Sequence, residues 1–114
     1  MIVNSGGNEL ADHIAANYRK VKIGDGADTT SAGQTNLDHT VATATVTPDV
    51  VGSTLVYEAT FSGSSIPSSG VSELGIFHTT NDTLSSRVTF TNTGVVAASD
   101  SITFTIRIQV GVGA

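Results

Sequence analysis

A chain of 114 residues is expected to fold as a single domain, 1–114, large enough to bury a real core. Its formal net charge of −5, with five Lys and Arg against ten Asp and Glu, lacks the basic footprint of a protein that binds nucleic acid or an anionic membrane. The absence of cysteine excludes disulfides and thiolate metal sites, and no stretch approaches the ~20 apolar residues of a membrane-spanning helix.

The first residues, Met1 to Gly7, have neither a charged n-region nor a long apolar core, so no secretory signal is expected. A helix is predicted over residues 8–18. Asn8 would cap it, Glu9 suits its first turn, and Arg19 and Lys20 follow its end. Leu10, Ile14 and Tyr18 recur at spacing four, with Ala11 and Ala15 beside them. So short a helix is marginal alone and must dock, either on the β-core or on a neighbouring subunit.

Residues 21–23 read as a short strand. Residues 24–39 form a long polar run whose apolar members are Ala27, Ala32 and Leu37. A loop of that length inside one domain is uncommon and is usually functional, an ordered Ω-like excursion, or partly disordered. Asp25, Asp28 and Asp38 invite a calcium reading, but their spacing is not that of an EF-hand, and turn-capping aspartates are the expectation. Strands are predicted at 41–46 and 54–61, with Pro48-Asp49 as a turn between them. In the second, Leu55, Tyr57, Ala59 and Phe61 share one face. Further strands are predicted at 71–78 and 84–91, the latter with Leu84, Ser86, Val88 and Phe90 on one side. The last strand, 101–110, alternates without a break: Ile102, Phe104, Ile106, Ile108 and Val110 against Ser101, Thr103, Thr105, Arg107 and Gln109. Phe104 and Ile106 should be core. Such strands, separated by turn signals, predict an antiparallel β-sandwich, Ig-like or jelly-roll-like, with one short N-terminal helix; a small barrel is the alternative.

On 71–78, Leu74 and Ile76 take one face and Glu73, Gly75 and Phe77 the other. Either this strand is central and buried on both faces, or Gly75 and Phe77 make a flat subunit contact, since a strand glycine marks a bulge or a close approach. Candidate subunit-contact residues are therefore Glu73, Gly75 and Phe77, with Leu10, Ile14 and Tyr18 of the helix. Arg87 has the parity to pair across strands with Glu58 or Glu73.

Residues that carry chemistry are sparse. His13, His39 and His78 form no metal-binding pair motif, and no Gly-x-Ser-x-Gly elbow occurs. Gly24-Asp25-Gly26 is read as turn glycines, not as a phosphate loop. No catalytic residue, cofactor or metal is expected.

The segment Val71-Ser72-Glu73-Leu74-Gly75-Ile76-Phe77 resembles the T-E-x-G-L-F signature of small tailed-phage virion proteins and tail-fibre modules. The L-x-x-R-x-x-F strand of that family is matched by Leu84, Arg87 and Phe90, and its closing Ser-Asp before a long alternating strand by Ser99-Asp100. The likeness runs over residues 20–110 and is looser in the first half. It implies a virion β-domain without catalytic residues, and family members serve in tail fibres, baseplates and head decoration. The expectation is a non-enzymatic virion structural protein, made in the host cytoplasm and placed on the capsid surface as a decoration or cement protein. The alternatives are a tail or baseplate component and, in a different class, a carbohydrate-binding sandwich. Expected partners are further copies, in a homo-oligomer such as a trimer or ring, and other virion proteins such as the major capsid protein.

Overall fold

The computed structural model describes residues 3–26 and 28–110; Met1, Ile2, Ala27 and the last four residues lie outside them. The two segments with the cleanest alternation become the longest strands, β4 (Thr54–Ser62) and β7 (Ser101–Gln109). They pair antiparallel in one uninterrupted register, from Thr54 opposite Gln109 to Ser62 opposite Ser101. Every inward pair is apolar: Leu55 with Ile108, Tyr57 with Ile106, Ala59 with Phe104, Phe61 with Ile102. The outward row is polar apart from Val56, and the Thr60 and Thr103 hydroxyls hydrogen bond across it at 2.8 Å.

The remaining elements are a helix, α1 (Asn4–Asn17), and the strands β1 (Lys20–Gly24), β2 (Thr40–Thr45), β3 (Asp49–Val51), β5 (Glu73–Phe77) and β6 (Leu84–Thr89). One sheet has the order β2-β1-β5-β6 and the other β3-β4-β7, with every pair antiparallel. The two sheets make a β-sandwich with a short N-terminal helix. Val21, Ile23, Leu74 and Ile76 of the first sheet meet Leu55, Tyr57, Ala59 and Phe61 of the second in the main core. Phe104 rings contact Phe61 edge-on at 6.1 Å and Phe90 at 5.5 Å between centroids.

Five expectations are corrected. The helix begins at Asn4, preceded by Val3, and no side chain caps it. Its buried positions are Gly7 and Ala11, so the contact stripe is rotated: small residues let the helix lie close, Ile14 and Tyr18 are half-covered, and Leu10 turns outward at 45% exposure. The segment after Pro48 is a strand, β3, because Val50 pairs with Leu55 instead of leaving through a turn. In the pairing of β5 with β6, an irregularity at Ile76 and Phe77 puts Leu84 opposite Phe77, away from Ser86 and Val88. Finally, Phe104 and Ile106 point inward yet are only half-buried, because β7 is an edge strand.

Candidate functional site

The long run between β1 and β2 folds back over the outer face of the first sheet. It does so because β5 presents an acceptor there. The Glu73 carboxylate, fully buried, accepts backbone N–H groups from Gly26 at 2.8 Å, Asp38 at 2.9 Å and His39 at 2.9 Å. Arg87 of β6 donates its Nε to the same carboxylate at 2.9 Å, and neither side chain is exposed. The other guanidinium nitrogens hold the loop: Nη1 donates to the Asp28 carbonyl at 2.7 Å and the Thr30 hydroxyl at 2.8 Å, and Nη2 to Asp38 Oδ2 at 3.1 Å. The Ser72 hydroxyl donates to the Gly26 carbonyl at 2.8 Å. Burial alone would raise the pKa of Glu73. The His39 and Asp38 amides, the guanidinium and the Gly26 amide outweigh it and hold the carboxyl below its ordinary value.

Glycine makes this approach possible. A β-carbon on Gly26 would stand 2.5 Å from Glu73 Oε2, and one on Gly24 2.2 Å from the His39 carbonyl oxygen. Gly24-Asp25-Gly26 is thus a close-approach segment rather than only a turn. Beside the ion pair lies a second, smaller apolar cluster. Leu37, buried within its polar loop, covers Gly75: a β-carbon there would be 2.8 Å from both Leu37 Cδ2 and Phe77 Cε1, and 3.1 Å from Leu84 Cδ1. Lys22 Nζ lies 4.4 Å from the centroid of the Phe77 ring.

Of the proposed contact residues, Glu73, Gly75 and Phe77 come together, but beneath their own chain. All of β5 is buried, so this face offers no surface to another subunit; the strand is central and covered on both sides. Leu10 and Ile14 lie elsewhere, on a helix that packs by β3 and β4, and Tyr18 follows at its C-terminal end. The helix exit is tied down separately: Thr79 donates its N–H and its hydroxyl to the Asn17 carbonyl, and Tyr57 its hydroxyl to the Tyr18 carbonyl at 2.7 Å. Arg87 takes Glu73 as its partner, not Glu58.

The aspartates have separate duties. Asp25 pairs with His39, and Asp38 accepts from Arg87 and from the Asp28 amide. Among the described residues, no three His, Cys, Asp or Glu side chains gather as metal ligands would. An open cleft beside the loop is lined by residues 32–35 and 81–84, including Gln34, Thr35, Asn81 and Asp82, and no aromatic side chain borders it. Leu37, Ser72 and Thr30 belong to the site but escaped sequence reasoning. Leu37 had a usable signal, as the one large apolar residue in a polar run. Comparison with protein-family models, curated proteins and solved structures gave no match.

Proposed function

We propose that this chain is a non-enzymatic structural protein of a tailed-virus particle, placed on the capsid surface as a decoration or cement protein. One observation carries the reading. The two segments that resemble the phage virion β-domains supply Glu73 and Arg87, and these meet as one buried ion pair gripping residues 24–39. Residues used this way fix the shape of an outer surface. Neither side chain is exposed, and both are hydrogen bonded on several sides. Such a protein acts by presenting a rigid surface to copies of itself and to the major capsid protein.

A tail or baseplate position is the second reading, because the same resemblance extends to those proteins. The carbohydrate-binding reading has less support, since sugar rings are commonly stacked on exposed aromatics and the cleft at 32–35 and 81–84 has none. Electron microscopy of virions carrying a labelled copy separates these. Label spread over the head supports decoration, and label confined to the tail supports the second reading. Purified particles without the protein would sink both.

A further inference from the structure

The two sheets have four margins, and three are closed or broken. β3 is three residues long and lies by α1. β2 has its register with β1 interrupted between Ile23 and Gly24, and it lies by β4 of the opposite sheet. β6 has its register interrupted, and its Arg87 is engaged by the loop. The fourth margin, β7, is nine residues long, in unbroken register with β4, and contains no proline. Native edges are usually guarded by short length, bulges, proline or inward charge. Among the described residues of β7 the only charged one is Arg107, on the outer face. The inner row, Ile102, Phe104, Ile106 and Ile108, is only half-covered although it faces the core. Nearby, Val88 is 46% exposed on the core-facing side of β6.

We infer that the free edge of β7 pairs with β7 of a second copy, antiparallel about a two-fold axis, giving one sheet of order β3-β4-β7-β7-β4-β3. Charge favours this occupant. The chain is acidic, but none of its ten side-chain carboxylates lies within β7, so the paired strands set no two carboxylates opposite one another. An antiparallel pair that keeps apolar row beside apolar row sets Arg107 against Ser101, Thr103, Thr105 or Gln109 of the partner, unless the axis passes through Arg107 itself. The contact is isologous, so it closes at two copies. This rests on the self-association within the proposed function and not on the particle, and it moves the contact from the covered β5 face to the open edge.

The test is sedimentation velocity of the purified chain over a range of concentrations. Wild type should form a species of twice the 11.6 kDa chain mass that dissociates on dilution. The double variant Thr103→Lys/Thr105→Lys, at two exposed outward positions, should weaken the dimer roughly tenfold or more, because like charges then stand opposite one another. Mixing it with Thr103→Glu/Thr105→Glu should restore a dimer. Should the lysine variant also lose stability, amide exchange of wild type gives an independent reading: β7 amides should gain protection as concentration rises. A chain that stays monomeric, an assembly such as a trimer untouched by the lysines, or β7 amides indifferent to concentration overturns the pairing. A monomer whose lysine variant loses only particle binding overturns it as well, by giving the edge to another virion protein.

Discussion

Arg87 makes four hydrogen bonds, one to Glu73 and three to the loop, from a side chain with no exposure. Removing one partner of a buried pair leaves the other charge uncompensated, so Arg87→Met should cost about 3–5 kcal/mol in chemical denaturation. Replacing both partners by apolar residues would not be neutral here, as it can be elsewhere. Glu73 also satisfies the amides of Gly26, Asp38 and His39, and each orphaned amide costs about 1–3 kcal/mol while it stays buried. The pair has a pH signature. A carboxyl held below its ordinary value of 4.5 stabilises the fold above that pH and ceases to do so as pH falls through the lower folded-state value. The melting temperature should therefore drop on acidification below about pH 4.5, and Glu73→Gln should show a smaller drop from a lower start. At the alkaline end the sign is reversed. Burial pushes the Tyr57 phenol from 10.0 up to about 12, so stability present below pH 10 is lost as pH rises toward 12. Tyr57→Phe should remove that component and cost roughly 0.5–1.5 kcal/mol for the bond to the Tyr18 carbonyl.

At the scale of elements, burial decides which aromatic matters. Phe77 lies on the outer parity of β5, yet the loop and Lys22 leave it 1% exposed. Phe104 lies on the inner parity of β7 and is only partly buried at the sheet edge. Thermal and chemical melts should accordingly rank Phe77→Ala, at about 3–5 kcal/mol, above Phe104→Ala, at roughly 1.5–3 kcal/mol. The reverse order would mean that the loop does not cover β5 or that β7 is not an edge. Alternation alone gave β4 and β7 with their inner and outer rows as read, because the period of a strand is fixed by its backbone. It could not tell which face of β5 the chain would cover, since that depends on a loop arriving from 35 residues away in sequence, from Asp38 to Glu73. Nor could it see the irregularity that moves Leu84 to the side of Phe77, or the rotation of α1 onto Gly7 and Ala11. Small residues give no hydrophobic signal, although they set how closely a helix can lie.

For the molecule as a whole, the ion pair joins the two halves of the sequence. Residues 24–39 come from the first half, Glu73 and Arg87 from the second, and their union gives the first sheet an apolar cluster on its outer side as well as the main core on its inner side. The loop is then part of the cooperative fold and a fixed outer surface, which is what the proposed structural role requires of it. Residue-resolved amide hydrogen exchange over the whole chain tests this most directly, because protection grades each segment by the free energy needed to open it. In wild type, the amides of Gly26, Asp38 and His39 should be protected comparably with those of β1 and β5, and in Arg87→Met they should exchange far faster while β4 and its partner β7 keep their protection. Fast exchange at Gly26, Asp38 and His39 in wild type, with β5 still protected, would contradict a loop held down by Glu73 and Arg87.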